Sequence, residues 1–246
     1  INIVMRRCKV ASNPALVKGC LEHYGLTWEK TKQKNHYIPV PYEDVGCLLK
    51  RLRRRITTRA GTNPLGERST LGYTLEFIIL TCVREGEVFQ AEWKEFDEKN
   101  KIWVAPLEHL KKTKGGNFER PVRITKDMQD ILDAMRARHI ATRGGKPSPD
   151  DLVFPSPAPN KKGERWKEFK RTSILRELKS VWPEYKVHVH GFRTSGRTWA
   201  NGSLGRKLGY DGKLMERQQG RREKGVGGSS YSSEVRPELD DETYPI

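Results

Sequence analysis

The chain has 246 residues, enough for one large domain or two small ones, and its hydrophobic content of 35% is sufficient for a buried core. The formal net charge of +16 favours a polyanionic partner such as a nucleic acid, although a solvated basic surface on a soluble protein gives the same excess. No apolar run approaches the roughly 20 residues of a membrane-spanning helix, and the four cysteines form no C-x-x-C pair, so we expect no membrane segment, zinc site or disulfide framework.

The first 40 residues are predicted to be the end of a helical domain followed by a linker. The segment NPALVKGCLEHYG carries apolar residues at helical spacing, and LTWEKTKQKNHYIPV is polar and lysine-rich. The chain opens with Ile1 instead of methionine and has no charged-then-apolar leader. We therefore expect a cytoplasmic fragment of a longer protein, with domains at residues 1–40 and 41–246.

Two helices are predicted at the start of the second domain. Residues 45–52 place apolar side chains at helical spacing, with an arginine run at residues 51–55 on the other side. That run is either a solvated helix face or a set of contacts to backbone phosphates. Residues 70–83 are apolar on most sides and predict a buried helix, which residues 85–87 are expected to end before a short helix begins at Val88.

The remaining elements predict a mainly α fold with a small antiparallel β-sheet or hairpin, an α+β domain. Residues 101–105 and 120–124 predict two strands joined by the charged, glycine-bearing turn KKTKGG. A short apolar strand or turn is predicted at residues 152–157. Helices are predicted at residues 126–140, 166–180 and 191–201.

Arg84 directly follows the predicted buried helix, in the segment TCVREGE. An arginine in this place either complements the negative end of the helix dipole or pairs with Glu87. A third role also suits it, because a semi-buried planar guanidinium can bind two oxygens of a phosphate while Glu87 orients it. The residues around Arg84 leave these interpretations open.

His190 and Arg193 form an H-x-x-R pair at the start of a predicted helix. Residues three apart lie on the same side of a helix, so we expect both side chains to point the same way, with Phe192 in the core. Gly191 permits close approach of a ligand to the backbone. The pair is either a helix-capping histidine beside a surface arginine, or a proton-transfer group beside a second phosphate-binding guanidinium.

Tyr231 lies in the flexible, polar segment GGSSYS near the C-terminus. Such a setting does not suit a core residue. The tyrosine is therefore either an exposed aromatic side chain on a loop or a mobile nucleophile that forms a covalent phosphotyrosine. Two guanidiniums and a phenol are together what transesterification at a DNA phosphate requires.

Four segments in this order resemble the catalytic domain of tyrosine recombinases, most closely the integrases of temperate phages and genomic islands. LTCVREGEVFQAEWKEFD is similar to the first arginine box of the family, and PLEHLKKTKGG to the hairpin that carries its lysine. VHGFRTSGRTWAN is similar to the H-x-x-R box, and LMERQQGRREKGVGGSSYS to the region of the third basic residue and the nucleophile. The resemblance covers roughly residues 12–235.

The resemblance implies site-specific cutting and rejoining of DNA, which integrates or excises a mobile element. Tyr231 would attack the scissile phosphate and form a 3′-phosphotyrosine, leaving a free 5′-hydroxyl. Arg84 and Arg193 would stabilise the charge on the pentavalent phosphorus, and His190 would assist proton transfer. A hairpin lysine would protonate the leaving 5′-oxygen.

Two positions of this pattern need separate comment. The hairpin lysine is Lys111 when the segment is aligned from its proline end and Lys114 when it is aligned from the turn, and we favour Lys111. Arg221 occupies the third basic position, where the family has a histidine or less often a tryptophan, and Gln219 stands where a leucine is expected. Arginine donates hydrogen bonds to a phosphate but does not exchange protons near neutral pH. The alternative is therefore a degenerate recombinase that binds DNA without efficient cleavage.

The resemblance also implies the partners of the chain. They are double-stranded DNA, further copies of the chain in a homotetramer on that DNA, and an excisionase or host DNA-bending protein in the bacterial cytoplasm. No metal or cofactor is implied, because guanidinium and ammonium groups supply the positive charge. Two other classes share parts of the pattern: a type IB topoisomerase, which relaxes DNA without recombining it, and a basic RNA-binding protein that needs neither Arg84 nor Tyr231.

Overall fold

A computed structural model gives the fold over residues 39–55, 68–109, 121–156, 167–184, 186–210 and 212–220. These residues all belong to one compact unit that begins at Ile38. The predicted helical end and linker lie almost entirely outside the described residues, so the domain boundary at residue 41 stays a prediction. None of the helices in the described ranges is long and apolar enough to cross a membrane.

The described residues form a mainly helical fold with one small antiparallel sheet, which confirms the predicted fold class. Short 3-10 turns flank the sheet at Trp93–Glu95 and Leu107–His109. The strands are β1 (Phe96–Asp97), β2 (Ile102–Val104) and β3 (Pro121–Arg123). The helices are α1 (Tyr42–Arg54), α2 (Thr70–Thr81), α3 (Glu85–Phe89), α4 (Lys126–Arg143), α5 (Arg171–Val181), α6 (Gly191–Asn201), α7 (Ser203–Lys207) and α8 (Gly212–Gln218).

Helix α2 lies at the centre of the fold, because its sequence is apolar on nearly every side. Phe77 is completely buried, and the helix contacts α1, α3, α4 and α5. At its start the Ser69 hydroxyl accepts a hydrogen bond from the Gly72 backbone N–H at 3.0 Å, which satisfies one of the helix's first donors. The buried helix predicted at residues 70–83 is confirmed, although it ends two residues earlier, at Thr81.

The break after α2 lies earlier than predicted. Cys82 adopts the left-handed conformation, with φ 52°, and its N–H donates to the Ile78 carbonyl oxygen at 3.0 Å, which closes the helix. The prediction that residues 85–87 separate two helices is wrong, because these residues form the first turn of α3. Two acidic side chains suit that position, since the N-terminal end of a helix carries partial positive charge.

The sheet packs an aromatic cluster against α2. Strand order is β1-β2-β3 with antiparallel pairing, and Trp103 of β2 lies opposite Phe96 of β1 and Val122 of β3. The Phe96 and Trp103 rings stack at 5.6 Å, and Phe77 of α2 meets Trp103 edge-on at the same distance. The two predicted strands are confirmed as β2 and β3. Strand β1 was not predicted, because two residues are too few for an alternating pattern.

Helix α6 spans residues 191–201 as predicted, and the other late elements differ at their ends. Helix α4 continues three residues beyond its prediction, to Arg143, and Gly144 ends it with φ 78°. Helix α5 begins at Arg171, five residues after its predicted start. The apolar segment near residue 152 is buried, and Leu152 forms a β-bridge with Glu92. Helix α8 was not predicted, and it packs against α6.

Candidate active site

Arg84 occupies the turn between α2 and α3. Its Nη1 lies 3.2 Å from Glu87 Oε1, and its side chain is 27% exposed while that of Glu87 is buried. The predicted pair with Glu87 is therefore present. Arg84 lies directly before α3, and the dipole of that helix disfavours a cation there.

Arg193 lies one turn into α6 and is only 2% exposed. Its Nη1 donates to the Cys82 carbonyl oxygen at 3.2 Å, and its Nη2 donates to the Gln219 carbonyl oxygen. Phe192 is buried, as predicted. One guanidinium therefore joins three separate segments: the end of α2, two residues before Arg84; helix α6; and the turn after α8.

Two consecutive glutamines at the end of α8 complete this junction. Gln219 is fully buried and its Nε2 donates to the Arg193 carbonyl oxygen at 2.6 Å. Gln218 Nε2 donates to the Thr81 carbonyl oxygen, also at 2.6 Å. The sequence marks Gln219 as a departure from an expected leucine but gives it no role. A buried amide in an otherwise apolar position was the available signal, because such a group needs a hydrogen-bond partner.

Helices α2 and α6 approach closely where Cys82 meets Gly196. A Cβ atom on Gly196 would lie 2.5 Å from Cys82 Sγ, so only glycine fits there without a shift. The Cys82 thiol donates weakly to the Phe192 carbonyl oxygen at 3.6 Å. Burial raises the pKa of Cys82 to about 11, although the charge of Arg193 opposes that rise. The thiol therefore stays protonated near neutral pH and is a packing group, not a nucleophile.

His190 stands at the start of α6 and is exposed. Its backbone N–H donates to His188 Nδ1 at 3.2 Å, and the Gly191 N–H donates to the His188 carbonyl oxygen at 2.8 Å, so His188 shapes the turn into the helix. His190 and Arg193 thus differ in environment, one at the surface and the other buried. The expectation that both side chains point the same way does not account for this difference.

Other basic side chains around the junction are engaged in ion pairs. Arg171, at the start of α5, lies 3.2 Å from Glu85 beside Arg84, and Arg197 of α6 lies 3.0 Å from Glu216 of α8. The arginines at residues 51–55 stay largely exposed, but three of them also contact other parts of the domain through ion pairs or a hydrogen bond. These contacts join Arg51 with Glu184, Arg53 with Glu76 and Asp127, and Arg55 with Ser180.

Four of the predicted site residues lie outside the described residues: Lys111, Lys114, Arg221 and Tyr231. In sequence, two described ranges stop shortly before these residues. One ends at Gly220, directly before Arg221, and the other ends at His109, two residues before Lys111. No group of three or more His, Cys, Asp or Glu side chains in the described ranges could hold a metal ion.

The base of the β2–β3 hairpin contains a buried carboxyl group. Glu95 accepts hydrogen bonds from Trp103 Nε1 at 2.9 Å and from the Glu92 backbone N–H at 3.0 Å, and His109 Nδ1 lies 3.2 Å from it. Burial raises the pKa of Glu95 to about 7, against the opposing effect of these hydrogen bonds. This group therefore exchanges a proton near neutral pH, next to the hairpin predicted to carry the lysine.

Comparisons with known proteins give structural relatives only. No family model and no curated protein matches the chain. The Tn1549 transposon integrase in complex with transposon right-end DNA is similar with a TM-score of 0.51 at 11% identity, over 90% of this chain and 68% of that one. XerA recombinase gives 0.47 at 17% identity over 84% and 64%, and a lambda integrase tetramer bound to a Holliday junction gives 0.48 at 12% identity over 92% and 56%.

The chain therefore spans about two thirds of the integrase structure and less of the other two. At 11% identity, the likeness to the Tn1549 integrase is one of fold. That fold agrees with the resemblance carried by the four sequence segments, and with the mainly helical unit and its small sheet described above. The chain has the fold of a tyrosine recombinase catalytic domain.

Proposed function

We propose that this chain cleaves and rejoins DNA at specific sites through a covalent 3′-phosphotyrosine, as the integrase of a mobile element. The contact that carries the proposal is that of Arg193 with the carbonyl oxygens of Cys82 and Gln219. It brings the segments of both candidate arginines together with the turn that leads to Arg221 and, ten residues later, to the candidate nucleophile.

In the proposed reaction Tyr231 Oη attacks the scissile phosphorus, and the new P–Oη bond forms as the bond to the 5′-oxygen breaks. Lys111, or Lys114 in its place, gives a proton to that oxygen, which leaves as a hydroxyl. His190 assists proton transfer by accepting the proton that the Tyr231 hydroxyl loses, and Arg221 binds a non-bridging oxygen. In the reverse reaction a 5′-hydroxyl attacks the phosphotyrosine, so the energy of the phosphodiester is retained and no external energy source is needed.

The two arginines stabilise the negative charge that develops on the phosphoryl oxygens. Guanidinium groups remain charged at any physiological pH, and their planar donors suit phosphate oxygens. Arg193 is already oriented by two carbonyl oxygens, so little reorganisation is needed when charge develops. Arg84 is partly exposed and is held by Glu87, which leaves its side chain within reach of a bound backbone.

The proposed partners follow from the same chemistry. Double-stranded DNA is the substrate, and the formal net charge of +16 favours binding to it by counterion release. Strand exchange between two duplexes needs four cleavages, which a homotetramer with one tyrosine in each copy supplies. An excisionase or a host DNA-bending protein is proposed to set the direction of recombination.

A second candidate function is DNA binding without efficient cleavage. Arg221 favours it, because an arginine in the third basic position cannot exchange a proton near neutral pH. Loss of a general acid or base slows a reaction by a factor of about 10²–10⁴. With this function, the chain would bind its DNA sites and form almost no covalent intermediate.

The experiment that separates these functions traps the covalent intermediate. The full chain is incubated with a pool of nicked duplexes whose core sequence is randomised. The nick lies beside the cleaved phosphate, so that the short 5′-hydroxyl fragment diffuses away and the covalent adduct is trapped. Adducts are separated on a denaturing gel and the attached DNA is sequenced. Tyr231→Phe removes only the phenolic oxygen and is the matched control.

The outcomes are distinct. A protein–DNA band that is lost in Tyr231→Phe, with one enriched core sequence, supports site-specific cleavage. A band in both proteins would exclude Tyr231 as the nucleophile. Binding to duplex DNA without any band would instead favour the non-cleaving function, and the absence of both binding and adduct would contradict both proposals.

A further inference from the structure

Gln219 holds Arg193 through both its side chain and its backbone. Its Nε2 donates to the Arg193 carbonyl oxygen at 2.6 Å, and its own carbonyl oxygen accepts a hydrogen bond from the Arg193 guanidinium. Both residues are buried, with exposures of 0% and 2%. We propose that Gln219 is a positioning residue that fixes the Arg193 guanidinium for the scissile phosphate, a role that rests on the proposed function.

The geometry of the pair explains how this works. The guanidinium donates to carbonyl oxygens of two segments far apart in sequence, Cys82 after α2 and Gln219 after α8. Two acceptors on a planar group fix the direction of its plane, provided that neither acceptor moves. The Gln219 side-chain amide keeps one of these acceptors, the Gln219 carbonyl, from moving. Its hydrogen bond to the Arg193 carbonyl oxygen ties the turn after α8 to α6.

The nature of the acceptors matters as well. A carboxylate in the place of either carbonyl would orient the guanidinium but would also compensate its charge. Carbonyl groups are dipoles without net charge, so these two acceptors orient the Arg193 guanidinium without themselves forming an ion pair with it. Arg84 lies at the other extreme, since its Nη1 pairs with the Glu87 carboxylate at 3.2 Å.

The choice of glutamine at this position has a stability cost. A buried amide is unfavourable unless both of its polar atoms are hydrogen-bonded. Gln219 Nε2 is satisfied, but Gln219 Oε1 is buried and accepts no hydrogen bond from the residues that the structure describes. An apolar side chain of similar size would avoid this cost. The one side-chain hydrogen bond that the amide makes is to Arg193, which is the residue that it orients.

Gln218 provides a matched control from the adjacent position. Its Nε2 donates to the Thr81 carbonyl oxygen at 2.6 Å, so it also ties the end of α8 to the core, but to α2 instead of α6. The same substitution at both positions removes one amide hydrogen bond of the same length. Only the substitution at Gln219 removes a hydrogen bond made directly to Arg193.

The test compares Gln219→Leu and Gln218→Leu in the full chain. Single-turnover formation of the covalent adduct is measured on the nicked-duplex pool, and DNA affinity is measured separately by mobility shift. We expect Gln219→Leu to slow adduct formation about 10- to 100-fold, the effect of a small misplacement of a catalytic group, while DNA affinity and the cooperative unfolding transition are retained. Gln218→Leu should slow adduct formation clearly less than Gln219→Leu does, because its amide binds the Thr81 carbonyl oxygen and not Arg193.

Equal slowing in both variants, or a loss of DNA affinity that accounts for the slower rate, would overturn the positioning role. A second measurement keeps the inference testable if the wild-type chain forms no adduct, an outcome that would contradict the proposed function instead. The Arg193 side-chain N–H signal is followed by NMR and assigned with Arg193→Lys. Faster hydrogen exchange of this signal in Gln219→Leu, but not in Gln218→Leu, supports the inference. An unchanged signal overturns it.

Discussion

Arg193 and Glu95 are buried ionisable side chains in two different regions of the molecule, and the two regions treat the charge in opposite ways. At the junction of α2, α6 and α8, the Arg193 guanidinium donates to the carbonyl oxygens of Cys82 and Gln219. At the base of the hairpin, the Glu95 carboxyl accepts from the Trp103 indole N–H and from one backbone N–H. Both groups have lost most of their contact with water.

Burial disfavours the charged form in both regions, but only one of the groups can become neutral. Arginine does not lose its proton in a protein, so the junction must supply acceptors and keeps a permanent positive charge. Glu95 gains a proton near neutral pH, because two donors do not replace its hydration and burial raises its pKa to about 7. A site that must stabilise a phosphate therefore suits the junction and not the hairpin base.

The largest expected effect is at the junction. Arg193→Met keeps the approximate length of the side chain but removes the donors to the Cys82 and Gln219 carbonyl oxygens. Leaving buried acceptors without donors costs about 1–3 kcal/mol for each, so we expect the free energy of unfolding to fall by roughly 3 kcal/mol or more. Urea unfolding followed by circular dichroism measures this change.

A second arginine of α6 provides the control for this substitution. Arg197 is about half exposed and pairs with Glu216 at 3.0 Å. Exposed ion pairs contribute about 0–1 kcal/mol, so Arg197→Met should change stability by no more than that. A loss of stability in Arg193→Met as small as that in Arg197→Met would show that the junction carbonyls do not depend on Arg193.

The next effect is a pH dependence at the hairpin base. The ordinary pKa of a glutamic acid is 4.5, and that of Glu95 in the folded protein is about 7. Between these pH values the folded state binds more protons than the unfolded state, so the stability contributed by Glu95 is complete below pH 4.5 and is lost as pH rises to about 7. The total change is on the order of 3 kcal/mol.

Glu95→Gln removes this titration and isolates its contribution. Stability of the wild type relative to the variant should fall as pH rises from 5 to 8, as measured by urea unfolding at several pH values. His109 Nδ1 lies 3.2 Å from Glu95, so the comparison is repeated in a His109→Gln background that removes this neighbour. A stability difference that does not change with pH would contradict the raised pKa.

The two regions also differ in how far the sequence predicts them. The Arg84–Glu87 pair is predictable, because residues three apart are neighbours at the start of a helix. Helix α2 is also predictable from local sequence, because its apolar run is longer than that of a typical strand. The hydrogen bonds of Arg193 connect residues 26 and 111 positions apart, and no local pattern encodes such contacts.

Other outcomes depended on tertiary structure in the same way. The end of α2 at Cys82 uses a left-handed residue that is not glycine, so the usual signal for a helix end is absent. Strand β1 forms only because β2 offers it a partner. The roles of Lys111, Lys114, Arg221 and Tyr231 stay predictions that rest on the sequence.

A third prediction separates packing from charge at the junction. Gly196→Ala would place a Cβ 2.5 Å from Cys82 Sγ, so α6 must move relative to the end of α2. Overpacking of this kind costs about 1–3 kcal/mol, and the shift should also disturb the bond from Arg193 to the Cys82 carbonyl oxygen. Thermal unfolding is the measurement. Adding Cys82→Ala removes the sulfur and should restore most of the stability. A double variant as unstable as Gly196→Ala alone would mean that the sulfur is not the obstacle.

The smallest expected change in stability is at Arg84, which is partly exposed and paired with a carboxylate, unlike Arg193 and Glu95. Its partner Glu87 is a carboxylate, and its side chain remains 27% exposed. Arg84→Gln keeps a donor near Glu87 and should lower the free energy of unfolding by about 1 kcal/mol or less. Adduct formation should fall by about 10²–10³, because a charge that stabilises the transition state is lost. The two readouts, urea unfolding and single-turnover cleavage, should therefore separate at Arg84 and change together at Arg193. If cleavage tolerates Arg84→Gln, the pair with Glu87 is structural and the phosphate is bound elsewhere.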